Sequence, residues 1–387
     1  MMRFEEAYEG WRGRRLTQEE AARLLGVHER TFRRYLDRYE DEGLDGLLDK
    51  RLSQVSHRRA PVDEVMRVTQ LYGRRYEGWN VKHFYSFYRR RHGGLRSYTW
   101  VKNTLQQAGL VRKAPGRGKH RTRRQRAPMV GMMLHQDGST HQWVPGRYWD
   151  LIVTMDDATN EHYSMFFVAQ EGTVSSFLGV KEVIAQYGLF CSLYTDRAHQ
   201  YWHTAEAGSK VDKTHLTQFG RAMHQLGIEM IPSYSPQARG RSERAFRTHQ
   251  ERLPKELAAA GITQMDEANH YLQDVYKPAF NAEFIQPAAE HGSGFVPLIG
   301  QDVTDVLCEQ YDRVVGNDNC VAFEGMKLQI PPDRYRLHYV KVNVRVHRYP
   351  EGHVAVFHGP KKLADYDHHG QLMHHTTTTI ARRHSPP

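Results

Sequence analysis

Apolar residues recur at helical spacing in two short segments near the start of the chain, with Gly26 between them. Thr17 can cap a first helix over residues 18–25, and Glu20 stands at the position that completes a capping box. A second helix is predicted from about Glu29. Two short helices joined at a glycine indicate a helix-turn-helix module, which we assign to residues 1–52.

A second helical unit is predicted over residues 58–111. Its three helices cover 62–72, 81–90 and 97–108, and the last has apolar residues at helical spacing. We interpret this unit as a second, winged or three-helix, module. Most of its aromatic side chains are expected in the small core that such a module needs.

The pattern changes in the centre, where residues 129–290 alternate between strand and helix periodicity. The predicted order is three strands, a helix, a strand, a helix, a strand and a final helix. The first three strands follow each other closely, whereas the later ones are separated by helices. This order predicts an α/β core with a mixed sheet, in which parallel strands extend an antiparallel meander.

Strand periodicity returns near the C-terminus. Residues 320–323 and 326–330 flank one glycine turn, and residues 340–359 hold two further strands around a Pro-Glu-Gly turn. We expect a small, SH3-like β-barrel over residues 305–360. Residues 361–387 are expected to be a disordered tail.

Charge is distributed unevenly along these units. The chain of 387 residues has a net charge of +10. Residues 51–128 hold 20 Lys and Arg against 3 Asp and Glu, and residues 112–128 hold eight Lys and Arg, no acid, two Pro and two Gly. Such a segment cannot build a packed core, so 112–128 is predicted to be a basic linker that binds a polyanion.

Double-stranded DNA is the partner that this combination favours, because helix-turn-helix modules place basic side chains in the major groove or on phosphates. The predicted DNA-binding residues are Arg30, Arg33, Arg34, Arg38, Arg89, Arg90, Arg96, Lys102, Arg117, Lys119, Arg121, Arg123, Arg124, Arg239, Arg241, Arg244 and Arg247. A solvated charged surface is the alternative for each group. The three cysteines lack metal or disulfide spacing, and no apolar run approaches the roughly 18 residues of a membrane span, so we expect a cytoplasmic protein.

Three acidic residues stand at corresponding points of separate elements. Asp137 is placed at the end of the first strand, Asp196 at the end of the fourth, and Glu243 in the first turn of the last helix. In a mixed sheet of this order the first and fourth strands lie side by side. The three carboxylates can therefore converge on two divalent ions held about 3.5–4 Å apart, which is the arrangement that metal-assisted phosphoryl transfer needs.

The segments HQDGSTHQW, LYTDRAHQYW and PQARGRSERAFRTHQERL resemble the three signature blocks of DDE transposases of bacterial insertion sequences and of retroviral-type integrases. The resemblance covers most of residues 15–358 and implies a multidomain protein with a ribonuclease H-like catalytic core. It implies that Asp137, Asp196 and Glu243 are both the catalytic residues and the ligands of two Mg²⁺ or Mn²⁺ ions. It further implies cleavage and joining of DNA strands at the element's terminal inverted repeats, by a homo-oligomer that is at least a dimer on DNA.

The chain departs from the family's pattern in two places. Residues 203–215 look like an insertion between Asp196 and Glu243, and Gln250 stands where many relatives have a basic residue.

Asp156-Asp157 and Glu251 are the rival acids, and His199 and His203 have the spacing of zinc ligands on one helix. The rival functions are a non-catalytic DNA-binding regulator or silenced transposase, and a metal-dependent nuclease that does not join strands.

Overall fold

The computed structural model describes residues 2–48, 60–113, 125–204, 210–234, 240–300, 302–332 and 336–373. These residues fall into two units. The first unit draws on Met1–Glu77 and Gly93–Lys113, and the second on Gly78–His92 and Ala114–Pro387. Within the described ranges, no helix is long and apolar enough to cross a membrane.

The first unit is helical. Its helices are α1 (Met2–Arg12), α2 (Gln18–Leu24), α3 (Glu29–Glu42), α4 (Val62–Arg75) and α6 (Tyr98–Gln107), with a 3-10 turn at Gly43–Leu47. The capping box predicted for α2 is present, because the Thr17 side chain accepts from the Glu20 amide and the Thr17 amide donates to Glu20 Oε2 over 2.8 Å. The prediction for α2 and α3 is therefore confirmed.

Helix α1 was not predicted. It contributes Phe4 and Ala7 to a core with Phe32 and Leu36 of α3, and all four side chains are buried. Only a few apolar residues on one side of α1 carry this contact, so the periodic signal was weak. The helix closes the small apolar core around which α2 and α3 pack.

The second unit is built on a five-stranded mixed sheet. Its strands include β1 (Leu134–Val144), β2 (Arg147–Asp156), β3 (His162–Val168), β4 (Ser192–Thr195) and β7 (Glu229–Pro232), and a separate pair is β5 (His203–Thr204) with β6 (Val211–Asp212). The order in the sheet is β3-β2-β1-β4-β7, with β1, β2 and β3 antiparallel and β4 and β7 parallel additions. The predicted mixed sheet is confirmed.

Helices cover both faces of this sheet. They are α5 (Val81–Arg91), α7 (Thr173–Tyr187), α8 (Gln218–Gln225), α9 (Ser242–Ala260), α10 (Met265–Tyr271), α11 (Lys277–Phe284) and the short α12 (Val303–Val306), and a π-helical turn at Leu272–Tyr276 joins α10 to α11. One apolar core unites the sheet with α7 and α8, and a second unites it with α9, α10 and α11. Because β2 lies between both cores, it is buried on both faces along most of its length.

Helix α5, predicted within the second helical module, packs in the second unit against α9. The buried His83 Nε2 lies 2.7 Å from Glu256 Oε1, and Ser86 Oγ donates to Glu283 Oε2 over 2.6 Å. Arg252 joins Glu283 through two contacts of 3.0 Å. These polar contacts fix α5 against α9, whose first turn holds Glu243, and against α11.

The C-terminal strands form open sheets within the described residues. The strands β8 (Glu309–Val314), β11 (Asn343–Arg348), β12 (Val354–His358) and β13 (Lys361–Tyr366) make a sheet in the order β13-β12-β11-β8, and β9 (Cys320–Phe323) pairs with β10 (Met326–Gln329). The predicted strands are present around one apolar core, but a closed barrel is not confirmed. Residues 361–366 were expected in a disordered tail and instead form β13, because Ala364 and Tyr366 pack into that core.

A pair of buried histidines links the sheet to α9. His162 at the start of β3 and His249 of α9 have their Nε2 atoms 3.0 Å apart, and His249 Nδ1 lies 3.0 Å from Tyr276 Oη. Burial lowers the pKa of His162 to about 4 and that of His249 well below its ordinary value. Both imidazoles are therefore neutral in the folded protein.

We predict that this pair makes the fold sensitive to acid. The unfolded chain takes up protons near the ordinary pKa of 6.5, whereas folded His162 resists protonation until about pH 4. The contribution of these histidines to the free energy of unfolding is therefore fully present above pH 6.5. It falls by on the order of 3 kcal/mol as the pH falls toward 4. Urea unfolding at several pH values measures this loss, and His249→Gln should make it smaller; an identical loss in the variant would contradict the prediction.

Candidate active site

Asp137 and Asp196 lie on neighbouring strands. β1 and β4 pair in parallel, with Leu134 opposite Leu193 and His135 opposite Tyr194. Two residues further along each chain stand Asp137 and Asp196, and residues two apart project to the same face of a sheet. The two aspartates therefore lie side by side at the point where β4 ends.

Asp137 was expected at the end of its strand, and this expectation was wrong. β1 continues to Val144 because β2 pairs with it over its whole length, whereas β4 is only four residues long. The carboxylate of Asp137 is buried, and that of Asp196 is partly exposed. Asp196 Oδ1 also accepts a hydrogen bond from the Ala198 amide over 3.0 Å, which fixes the turn after β4.

Helix α9 lies on the face of β1 that carries Asp137. Leu134 belongs to the core beneath α7, so by alternation Asp137 faces the opposite side, where α9 packs. Gln250 of α9 donates to Ser139 of β1 over 2.9 Å, two residues beyond Asp137. Glu243 occupies the first turn of α9, as predicted, and its side chain is exposed.

The three predicted ligands are not all together in this structure. Among the residues that the structure describes, no three His, Cys, Asp or Glu side chains come close enough to hold a metal ion. The sheet therefore pairs Asp137 with Asp196, while Glu243, in the first turn of α9, does not complete a three-carboxylate site with them. The five residues 235–239 that lead toward α9, including Arg239, are outside the described ranges.

The rival acids Asp156 and Asp157 are buried and hydrogen-bonded at the turn after β2. Asp156 accepts from the amides of Gly131 and Thr159 over 3.0 and 2.8 Å. Asp157 lies 2.6 Å from His135 Nε2, accepts from the Ala127 amide over 2.7 Å, and forms a close ion pair with Arg241. Burial opposes ionisation of Asp157, but His135, Ala127 and Arg241 together hold its pKa below the ordinary value.

Glu171 is a fourth acid near the aspartate pair that the sequence analysis missed. It precedes α7 and accepts from Gln200 Nε2 over 3.0 Å. Its carboxylate lies so close to Gly138 of β1 that a Cβ there would overlap it. Burial, followed by the negative charges of Asp137 and Asp196, raises the pKa of Glu171 to about 7. No motif marks this residue, since its position depends on how the turn after β3 folds.

The pair His199 and His203 and two histidines near the aspartates, His135 and His141, do not form a metal site. His199 lies in a turn and His203 in β5, so the two are not on one helix and the zinc-like spacing has no structural basis. His141 lies at the rim of the second core beside Trp143, and burial lowers its pKa. His135 is buried against Asp157.

The predicted DNA-binding residues have different environments. The arginines of α3 are exposed, with Arg33 paired to Glu29 at 2.8 Å, and Arg89 and Arg90 are exposed on α5. Arg96 donates from Nε to Glu64 over 2.9 Å and lies over the Trp100 ring, and Lys102 is partly buried on α6. Arg244 and Arg247 are exposed on α9. The residues outside the described ranges are Arg117, Lys119, Arg121, Arg123, Arg124 and Arg239.

Comparison with known proteins identifies the family. The winged helix-turn-helix family matches residues 6–64. A putative transposase, y4bF of Sinorhizobium fredii (strain NBRC 101917 / NGR234), is 30% identical over 353 residues, which is 88% of this chain and 75% of that protein. The transposase for insertion sequence IS1202 of Streptococcus pneumoniae is 26% identical over 303 residues, 69% of this chain and 65% of that one. The chain belongs to the family of insertion-sequence transposases.

Solved retroviral integrases have a distant likeness to the chain. The simian T-cell lymphotropic virus intasome is 14% identical, with a TM-score of 0.34 over 68% of this chain and 85% of that one. The HTLV-2 integrase catalytic core domain in complex with magnesium is 14% identical, with a TM-score of 0.29 over 38% and 89%. At these scores the likeness supports no comparison of individual residues.

We predict that Glu171→Gln stabilises the metal-free protein at alkaline pH. Because its pKa is raised, Glu171 keeps its proton in the folded protein at pH values where the unfolded chain has lost it. The contribution of Glu171 to the free energy of unfolding is therefore fully present below pH 4.5 and is lost as the pH rises through about 7. Glutamine keeps the acceptor for Gln200 but removes the buried charge. The gain should be on the order of 2 kcal/mol at pH 8 and absent at pH 4.5.

Urea unfolding in the presence of a chelator tests this prediction. Glu251→Gln, which removes an exposed acid of α9, is the matched control and should change stability little at either pH. Equal destabilisation of the Glu171 variant at both pH values would contradict the assigned repulsion.

Proposed function

We propose that the protein is a transposase that binds the terminal inverted repeats of an insertion sequence and catalyses metal-dependent cleavage and transfer of DNA strands. The observation that carries this proposal is the parallel register of β1 and β4, which sets Asp137 beside Asp196. Helix α9, whose first turn contains Glu243, packs on the same face of the sheet. Membership of the transposase family supports the reaction class. The proposed catalytic triad is Asp137, Asp196 and Glu243, within a ribonuclease H-like core.

The residues present fit divalent cations. Carboxylates are the preferred ligands of Mg²⁺ and Mn²⁺. Burial and then the negative charges of Asp137 and Asp196 raise the pKa of Glu171, and a cation would neutralise those charges. We propose that Asp137, Asp196 and Glu243 would hold two such ions, which would supply an activated oxygen nucleophile and stabilise the departing oxygen.

The protein's own residues would prepare this site. Asp196 is fixed by the turn at Ala198, and Asp137 by the ladder between β1 and β2. Glu243 is exposed in the first turn of α9, and we propose that its side chain would extend toward the aspartates when the ions are bound. We propose that Arg244 and Arg247, which are exposed on the same helix, contact phosphates of the bound DNA strand.

Recognition of the element ends is assigned to the N-terminal modules and the basic segment that follows them. The arginines of α3 are exposed on the second helix of a winged helix-turn-helix, which is the helix that enters the major groove in such modules. Residues 112–128 would add phosphate contacts. Since two element ends must be held together, we propose at least a dimer on DNA, acting in the cytoplasm on the nucleoid.

We predict that Arg34→Gln weakens binding to end-containing DNA without abolishing strand cleavage at saturating protein. Each lost phosphate contact lowers the slope of log affinity against log salt by about one, whereas loss of a base contact costs about 1–3 kcal/mol and relaxes sequence preference. Fluorescence anisotropy at several salt concentrations distinguishes the two. Affinity equal to that of the unchanged protein for every DNA would show that Arg34 does not contact DNA.

We predict that Asp196→Asn and Glu243→Gln each lower strand transfer by more than about 100-fold while DNA binding is retained. Glu251→Gln, two turns further along α9, is the control for Glu243 and should keep activity. The assay uses end-containing DNA with Mg²⁺ or Mn²⁺ and follows cleavage and joining separately.

The two rival functions give different results in that assay. Cleavage without joining would identify a nuclease, and binding with neither reaction would identify a regulator or silenced relative. Cleavage that persists in Asp196→Asn would overturn the assignment of the triad.

A further inference from the structure

A single buried carboxylate joins three segments around the candidate active site. Asp157 is fully buried directly after β2. Its Oδ1 lies 2.6 Å from His135 Nε2 and forms an ion pair with Nη1 of Arg241. Its Oδ2 accepts a hydrogen bond from the Ala127 amide over 2.7 Å. Each contact comes from a different part of the chain, so Asp157 connects β1, the segment before the sheet, and the residue that precedes α9.

The positions of these partners relate the network to the proposed triad. His135 stands two residues before Asp137 on the same face of β1, and Arg241 stands two residues before Glu243. Asp157 therefore holds the residue two positions before each of two proposed ligands. On the other side of Asp137, Gln250 of α9 donates to Ser139. Helix α9 is thus fastened to β1 both before and after the level of Asp137.

Arg241 is held as a structural cation. Its side chain is 13% exposed, and its Nη2 also donates to the Gln125 carbonyl over 3.1 Å. A second guanidinium, that of Arg126, donates to the carbonyls of Asp157 and Ala158 over 2.9 and 3.1 Å. A buried ion pair with hydrogen bonds on both partners is costly to break, because either group left alone would be an uncompensated charge.

We propose that Asp157 is a positioning residue, which acts through Arg241 and His135 to set the first turn of α9, and with it Glu243, relative to Asp137. This proposal rests on the proposed function for its catalytic meaning. In this proposal Arg241 forms a structural ion pair inside the protein, whereas the sequence predicted that it binds DNA. The same network explains the Asp-Asp pair at the end of β2: Asp156 accepts hydrogen bonds within its own turn, and Asp157 pairs with the residue that precedes α9.

Hydrogen exchange on the full-length protein tests the anchoring by itself. Asp157→Asn and Arg241→Gln should raise amide exchange in residues 241–248 and leave the centre of β2 unchanged. Arg252→Gln is the matched control, since Arg252 is also a buried, ion-paired arginine of α9 but lies nine residues beyond Glu243. It should raise exchange near its own partner Glu283 and not in the first turn. Unchanged exchange in residues 241–248 of both network variants would overturn the proposal.

Mn²⁺ binding, followed by electron paramagnetic resonance, tests the link to Glu243. Arg241→Gln should weaken Mn²⁺ affinity by about tenfold, as is usual for residues that orient metal ligands, while Arg252→Gln should leave it unchanged. In the Glu243→Gln background Arg241→Gln should have no further effect, because both changes act on one interaction. Additive effects would overturn the positioning role.

The outcomes separate this inference from the proposed function. If Glu243→Gln leaves Mn²⁺ affinity unchanged, the assignment of Glu243 as a ligand fails, while hydrogen exchange still decides whether Asp157 anchors α9. If Arg241 contacts DNA instead, Arg241→Gln should lower the salt slope of DNA binding by about one and leave both exchange and Mn²⁺ affinity as they were. That result would overturn the proposal.

Discussion

The parallel pairing of β4 with β1 is the contact on which the candidate site depends. It extends over only two residue pairs, yet it brings together two aspartates that are 59 positions apart in the chain. The remaining architecture supports this short ladder: β2 pairs with β1 on its other side, and β7 pairs with β4. Two apolar cores hold the sheet between helices, so that Asp137 within β1 and Asp196 beyond the end of β4 cannot separate without opening a core.

Much of this arrangement was predictable from the sequence. Periodicity and the order of strands and helices were sufficient for the mixed sheet, and the capping box at Thr17 marked the start of α2. The positions of Asp137 and Asp196 beside each other followed from the same order. The family resemblance, which comparison with y4bF confirms, depended on short motifs around these acids.

The parts that were not predicted depend on contacts between distant residues. Glu171 has no motif and gains its place only when the turn before α7 folds against Gly138. Helix α5 has the pattern of a module helix, but His83 and Ser86 find partners on α9 and α11. The ion pair of Asp157 with Arg241 joins residues 84 positions apart, and local patterns carry no information about such a pair.

Gly138 has a consequence for how the protein can vary. The residue directly after Asp137 has no side chain, and the space that a methyl group would fill is taken by the carboxylate of Glu171. A larger residue at 138 would therefore require the flexible Glu171 carboxylate to move away from β1, or a shorter residue at 171. In related sequences we expect a larger residue at 138 to be accompanied by a shorter or displaced side chain at 171, which would mark the two positions as neighbours even where no structure exists.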